Sequence, residues 1–268
     1  MQLTLSQSHL HRLARGFAKV IPGRGSAMPV LDQVRFRRIG DHDADATATT
    51  LEETLTLFLP GCAAADSGPD VFLCPFDELR RLAKDMGRGD AALLAGLPGE
   101  TPQVDLVLQV GGRDIRSRIQ VISIAEFPET LVPVATVPAD VGAFLKAFRT
   151  ALPFASEDPT RAAINSVFWH EEAHSLVATD GRRLTLLRLD ALSLGQDFIL
   201  PPSKLLANGV LDGAEGTLGV ALASERTYLD RQDATVGFRR GADRQWSLRS
   251  RLPCQRSMPP TWYCPWTT

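Results

Sequence analysis

Hydrophobic positions lay out one plan along this chain and then lay it out again. From His9 to Ile21, the residues Leu10, Leu13, Ala14, Phe17 and Ile21 recur at spacings of three and four, which predicts an amphipathic helix. Arg12, Arg15 and Lys19 gather on another face of that helix. In the second half Val141, Phe144, Leu145, Phe148 and Leu152 form the matching apolar stripe, with Lys146 and Arg149 off it. Pro22 and Pro153 end these helices, because proline cannot continue the hydrogen-bond ladder. Strand-like segments come next: Pro29–Arg37 and Leu51–Leu59, then Ala163–Trp169 and Ser175–Leu189. The alternation Thr54-Leu55-Thr56-Leu57-Phe58-Leu59 reads as a strand with one face buried.

A second helix follows a proline in each half. Over Phe76–Met86 the apolar residues Leu79, Leu82, Ala83 and Met86 face inward, while Arg80, Arg81 and Lys84 stay outside. Asp77 and Glu78 occupy its first turn, where the helix dipole favours them. Ser203–Leu211 is a weaker counterpart, carrying Lys204 and a Gly209 that costs helix stability. Closing strands are predicted at Val104–Val110 and Ile115–Ile124, then at Thr217–Leu222 and Trp246–Leu252, the first two separated by the turn Gly111-Gly112-Arg113. Each half thus reads helix, strands, helix, strands. Pro128, Pro133 and Pro138 mark a boundary near Glu129–Ala139, giving expected domains 1–129 and 130–268. Pro259–Thr268 shows no periodicity and takes no assignment.

The residues repeat as well as the pattern. Leu31, Val34 and Phe36 return as Ile164, Val167 and Trp169, and Phe72-Leu73-Cys74-Pro75 as Phe198-Ile199-Leu200-Pro201. Ala48-Thr49-Thr50 matches Ala178-Thr179-Asp180, and Ile115-Arg116-Ser117-Arg118-Ile119 matches Leu248-Arg249-Ser250-Arg251-Leu252. Phe127-Pro128 returns as Met258-Pro259. The period exceeds the roughly 20–50 residues of solenoid repeats and is the size of a domain. Two copies of one fold are expected.

At 268 residues there is length for two domains, each with its own core. A formal net charge of −2 excludes bulk attraction to nucleic acid, so DNA contact requires basic residues gathered on one surface. Cys62, Cys74, Cys254 and Cys264 form no CxxC pair and read as free thiols of a reducing compartment. The start Met1-Gln2-Leu3-Thr4 lacks the basic, apolar character of a leader, and no stretch of 18 apolar residues spans a membrane. A cytoplasmic chain with no membrane contact is expected.

Specific residues narrow the fold further. Asp158-Pro159-Thr160-Arg161 through Ile164-Asn165-Ser166-Val167, then Val177-Ala178-Thr179-Asp180-Gly181-Arg182-Arg183-Leu184, resembles the second domain of the bacterial replicative sliding clamp, the beta subunit of DNA polymerase III. That family carries a similar strand followed by a "VATDGHRL" signature. Val20-Ile21-Pro22-Gly23-Arg24 with Met28-Pro29-Val30-Leu31, and Glu126-Phe127-Pro128-Glu129, look like parts of its first domain. Two departures stand out: the signature histidine is Arg182 here, and the chain stops where a third clamp domain would begin.

The resemblance implies an α+β fold of two tandem DNA-clamp-type domains, each with two helices packed on antiparallel sheets. It implies a non-catalytic processivity factor that encircles duplex DNA without regard to sequence and tethers DNA polymerase, with clamp loader subunits as further partners. Helices line the hole in such rings, so Arg12, Arg15, Lys19, Arg80, Lys84, Lys146 and Arg149 are the candidate DNA contacts, joined by Arg24 in its loop. Phosphate contacts of this kind are sequence-independent and salt-sensitive. The partner-peptide positions carried over are Thr179, Gly181, Arg182, Arg183 and Leu184. Family rings hold six domains as two chains of three; with two domains per chain, six require a homotrimer closed head to tail.

Two other readings compete. His170-Glu171-Glu172-Ala173-His174 matches the HExxH pattern of zinc metallopeptidases, which binds zinc when a helix stacks its histidines on one face and uses the glutamate as general base. Its flanks Val167-Phe168-Trp169 and Ser175-Leu176-Val177 favour strands, so a hairpin turn is expected and no metal is assigned. No phosphate-binding P-loop is present, and no cofactor is expected. The remaining reading is a clamp-like protein that binds replication proteins as a regulator without closing a ring.

Overall fold

The computed structural model describes residues 1–21, 28–51, 53–64, 68–97, 99–128, 136–161, 163–193, 197–207, 217–222, 226–231 and 234–239. Its strands are β1 (Gln2–Ser6), β2 (Gln33–Ile39), β3 (Asp43–Thr49), β4 (Glu53–Leu59), β5 (Ala63–Ala64), β6 (Val71–Pro75), β7 (Ala91–Leu97), β8 (Gln103–Val110) and β9 (Arg113–Gln120) in the first half. The second half adds β10 (Thr136–Asp140), β11 (Val167–His170), β12 (Ser175–Thr179), β13 (Leu184–Arg188), β14 (Phe198–Leu200), β15 (Thr217–Leu222), β16 (Arg226–Arg231) and β17 (Ala234–Arg239). Among the described residues four α-helices, α1 (Gln7–Phe17), α2 (Phe76–Asp85), α3 (Val141–Ala151) and α4 (Lys204–Ala207), pack as the pairs α1–α2 and α3–α4.

Among the described residues all pairings are antiparallel, and they form three sheets. The strand orders are β5-β1-β7-β8-β9, β10-β15-β16-β17-β4-β3-β2-β6, and β13-β12-β11-β14. The duplication is plain in these orders. The run β6-β2-β3-β4 recurs as β14-β11-β12-β13, and β1-β7-β8-β9 recurs as β10-β15-β16-β17. The eight-stranded sheet crosses from one copy to the other where β17 pairs with β4, from Ala234↔Leu57 to Phe238↔Glu53.

Pairing register tests the sequence matches residue by residue. Thr49 stands opposite Thr54 across one turn and Thr179 opposite Leu184 across the other, so Thr49 superposes on Thr179. Phe36 opposes Ala46 and Phe72, as Trp169 opposes Leu176 and Phe198. Three of the five sequence matches are therefore true structural counterparts. The match of Ile115–Ile119 to Leu248–Leu252 is not: the strand in the position of β9 is β17, 121 residues further on by hairpin register, since Val110↔Arg113 corresponds to Arg231↔Ala234. Leu248–Leu252, the predicted strand Trp246–Leu252, Met258-Pro259, the segment Pro259–Thr268, Cys254 and Cys264 lie outside the described residues, as do Pro22–Arg24, the end of Ser203–Leu211 and residues 129–135 of the expected boundary.

Local chemistry explains the helices. Ser6 caps α1 by accepting from the His9 N–H at 3.3 Å, and the His9 ring accepts from the Ser6 N–H in return. Leu10, Leu13 and Phe17 of α1 and Phe76, Leu79 and Ala83 of α2 are buried together, with Phe17 and Phe76 edge to face at 6.4 Å. In the second half Phe144, Leu145, Phe148 and Ala151 of α3 join Leu205 and Leu206 of α4 in the same apolar cluster. No helix among the described residues is long and apolar enough to cross a membrane.

Candidate functional site

The basic candidates separate into two kinds. Arg15 in the last turn of α1, Lys19 just beyond that helix, Arg80 and Lys84 on α2, and Lys146 on α3 are exposed. Arg15, Lys19, Lys84 and Lys146 make no ion pair with any described residue. Arg12 and Arg149 are half-buried instead. Arg12 donates from Nη1 to the Phe58 carbonyl at 3.2 Å, pinning α1 to β4, and Arg149 donates from Nε to the Leu206 carbonyl at 2.8 Å, closing the C-terminal end of α4. Arg80 pairs with Asp77 at 3.3 Å and lies 5.9 Å from the Phe76 ring, and Arg81 pairs with Glu78. On α2, Asp77, Glu78 and Asp85 offset Arg80, Arg81 and Lys84, so positive charge concentrates on α1 and α3. Arg24 lies outside the described residues.

The five peptide-site candidates form one turn between β12 and β13. The Thr179 hydroxyl donates to the Arg183 carbonyl at 2.6 Å and accepts from the Gly181 N–H at 3.0 Å. The Asp180 carboxylate accepts from the N–H groups of Arg182 and Arg183 at 2.8 and 2.7 Å and from the Arg183 guanidinium. Those backbone donors, Arg183 first, hold Asp180 well below the usual carboxylate range. Gly181 has φ +92°, the left-handed region that glycine enters at no steric cost. Leu184 opens the strand beyond with its side chain exposed.

The first half builds the same turn from other residues. The Thr49 hydroxyl donates to the Glu53 carbonyl at 3.1 Å and accepts from the Leu51 N–H at 3.1 Å, and the Thr50 hydroxyl accepts from the Glu53 N–H at 3.0 Å. Leu51 takes φ +74° where the second copy has Gly181. The threonine and the left-handed residue therefore have a folding role in both copies. What distinguishes the second turn is its surroundings: Arg161 reaches the Asp180 carbonyl at 3.4 Å, and the Arg183 guanidinium covers the Phe154 ring at 5.6 Å. Neither Arg161 nor Phe154 was among the sequence candidates. Arg161 stands in the Asp158–Arg161 stretch that carries the resemblance, which was the available signal; nothing in the sequence marked Phe154.

The HEEAH segment is a hairpin turn, with residues 171–174 between β11 and β12. The His170 ring accepts from the Ala173 N–H, the His174 ring meets the Leu192 carbonyl at 2.7 Å, and Glu171 accepts from the Trp169 indole at 2.7 Å and from Ser193 at 2.6 Å. These side chains are committed to the turn, and no helix stacks the histidines. Among the described residues no group of three or more His, Cys, Asp or Glu is placed to hold a metal ion.

With strand order, helix pairs and turn in place, the class is defined: this is the sliding-clamp fold, α+β, with tandem clamp-type units whose helices pack on antiparallel sheets. It is similar to the DNA polymerase III subunit beta of Pseudomonas aeruginosa (TM-score 0.75, 20% identity), matching over 94% of this chain and 67% of that one. The DNA polymerase sliding clamp of Bacillus subtilis is similar over 95% of this chain and 68% of that one (TM-score 0.75, 14% identity). The Helicobacter pylori beta clamp, solved bound to a DNA ligase peptide, is similar over 95% and 70% (TM-score 0.72, 14% identity). This chain thus spans about two thirds of the length of those clamps. No protein-family model and no curated protein matches the sequence.

Proposed function

We propose that this chain is a non-catalytic sliding clamp that encircles duplex DNA and holds DNA polymerase and other replication proteins on it. The observation that carries this reading is the β17–β4 pairing, which joins two copies of the clamp fold edge to edge in one continuous sheet. The exposed cations Arg15, Lys19, Lys84 and Lys146 supply a sequence-independent contact to phosphate, and Arg80 and Arg24 extend the set. Residues 1–129 and 130–268 are the two domains of the reading. Six such domains make a ring from three chains, so a homotrimer is expected in place of two three-domain chains. The turn Thr179–Leu184, flanked by Arg161 and Phe154, is the proposed docking place for partner peptides, in a bacterial cytoplasm.

Light scattering at micromolar concentration tests assembly: a mass near three times 29.2 kDa supports the ring, and monomer alone overturns it. Retention on nicked circular DNA with release on linearisation tests encirclement. A protein that stays monomeric yet captures replication proteins would instead fit the regulator reading.

A further inference from the structure

The row of cations on α1 contains a side chain that can change its charge. Gln7, His11 and Arg15 follow one another at four-residue spacing along the helix, and Lys19 continues the series just beyond it. Residues four apart lie one above the other on a helix, so the exposed His11 and Arg15 share a face. That row is also tied to α2. The Gln7 amide donates to the Met86 carbonyl at 3.0 Å, and His11 Nε2 lies 2.8 Å from the Ala83 carbonyl. At the other end of the pair Phe17 meets Phe76, so the helices run antiparallel and the start of α1 sits at the end of α2.

The chemistry of the contact fixes what the ring can do. In a continuing helix the N–H of residue 87 would satisfy the Ala83 carbonyl. Here the Gly87 N–H donates to the Asp90 carboxylate at 2.7 Å, and His11 supplies the donor instead. A carbonyl only accepts, so the contact requires the hydrogen on Nε2 and leaves Nδ1 to take a second proton. Protonation therefore keeps the tie to α2 and makes it charge-assisted. It also puts positive charge at a helix C-terminus, where the dipole favours it.

The charged neighbours set the coupling. On α1 they are Arg15 and Arg12, the latter bound to the Phe58 carbonyl, while the His9 ring turns to the Cys62 thiol at 3.3 Å. On α2 they are Lys84 and Asp85, which offset each other, and Arg80, which pairs with Asp77. Arg12 and Arg15 oppose an imidazolium in the free chain. A phosphate backbone lying along the row reverses that balance.

We infer that His11 is a proton-linked contact for the phosphates of duplex DNA: binding draws a second proton onto its ring, and the grip tightens as pH falls. The inference rests on the reading of α1 as a DNA-facing helix and adds a residue to that face. Linkage makes the effect reciprocal, since whatever favours the imidazolium also favours the bound duplex.

Fluorescence anisotropy with a labelled duplex, over a salt series at pH 5.5 and pH 8.0, tests this in the full chain. At pH 5.5 the slope of log K against log salt should be steeper by up to about 0.9, the value of one added phosphate contact. At constant salt Kd should fall at least threefold. His11→Gln, whose amide can still donate to Ala83 but takes no proton, should lose at least half of both differences. His11→Lys, with a fixed charge, should show the steeper slope at both pH values. Bulk charge changes with pH in parent and variants alike, so the difference between them reads His11. Calorimetry at pH 7 in buffers of unlike ionisation enthalpy should detect proton uptake on binding by the parent and less by His11→Gln. A pH dependence and proton uptake that survive both substitutions overturn this inference and leave the other cations as the contact. A chain that binds no duplex at either pH overturns the DNA-facing reading itself.

Discussion

Phe36 stacks on Phe72 across β2 and β6, with ring centroids 5.3 Å apart and planes 24° from parallel. The positions equivalent to these two hold Trp169 and Phe198, which stack at 6.5 Å and 29°. Each copy of the fold is therefore pinned by one aromatic pair between a hairpin strand and the strand that leads into its second helix. Phe72→Ala and Phe198→Ala should each cost about 3–5 kcal/mol of stability, as large-to-small core changes do. Urea unfolding of both variants checks this; losses under 1 kcal/mol would mean the pairs are not structural anchors. Gly96→Ala should also destabilise, because its new Cβ would sit 2.7 Å from the Phe72 Cβ.

The repeated turn makes an asymmetric prediction. Gly181→Ala places a side chain at φ +92° with the Arg161 guanidinium 3.2 Å from the new Cβ, and should cost about 1 kcal/mol. Thr179→Ala removes one donated and one accepted hydrogen bond and should cost about 1–2 kcal/mol, by the usual net worth of each bond. Chemical denaturation midpoints decide. Unchanged midpoints would mean that both residues serve only partner binding.

Legibility in sequence followed side-chain size. The amphipathic helices were readable because Leu10, Leu13, Phe17, Phe144 and Phe148 are large and regularly spaced. β3, with the sequence DADATAT, was missed although Ala44, Ala46 and Ala48 are fully buried: alanine alternation carries little hydrophobic signal. β7 was missed because AALLAGL suits a helix as well as a strand, and its strand state comes from pairing with β1 and β8. β1, at five residues, offers too short a run. The Ile115–Ile119 match misled because a repeated pentapeptide need not share a register. At the candidate site, helical spacing identified the cations but could not tell that the guanidinium groups of Arg12 and Arg149 are tied to backbone carbonyls, at Phe58 and Leu206, which lie far away in sequence.

Asp180 gives the turn an acid limit. Its folded pKa is depressed, so its contribution to stability is present above the unfolded value of 3.8 and is lost as pH falls below that value toward the folded one. Asp180→Asn should lower the melting temperature at pH 7 and flatten its fall between pH 5 and pH 2. A variant that tracks the parent across that window would show that the carboxylate adds nothing.

Cys62 is expected to be slow to alkylate. Burial, then the charge of Asp43, pushes its thiol from 9.0 up to about 11, favouring the neutral form. At pH 8 its thiolate fraction is about 100-fold below that of an unperturbed thiol. Because the folded pKa is raised, the associated stability is complete below pH 9.0 and is lost as pH rises through about 11. Peptide mapping after a timed iodoacetamide pulse measures the rate; modification of native Cys62 at the unfolded rate would contradict the burial.

The two kinds of basic residue should separate in DNA binding. Arg15, Lys19, Lys84 and Lys146 are exposed cations that make no ion pair with any described residue, so replacing them with alanine should weaken duplex binding and leave the melting temperature within a few degrees. If all four contact phosphate, the slope of log K against log salt should become shallower by about 0.9 per residue, the counterion-release value for B-form DNA. Arg149→Ala should do the reverse. It removes the donor that closes the end of α4 at Leu206, so stability should fall by about 1–3 kcal/mol, the usual worth of a hydrogen bond from a charged group or the penalty of leaving a buried acceptor unmet. Its salt slope should change little. Fluorescence anisotropy over a salt series, with thermal melts of the same samples, reads both quantities. An unchanged slope in the fourfold variant would remove α1, α2 and α3 from the DNA-facing surface, whatever the oligomeric state.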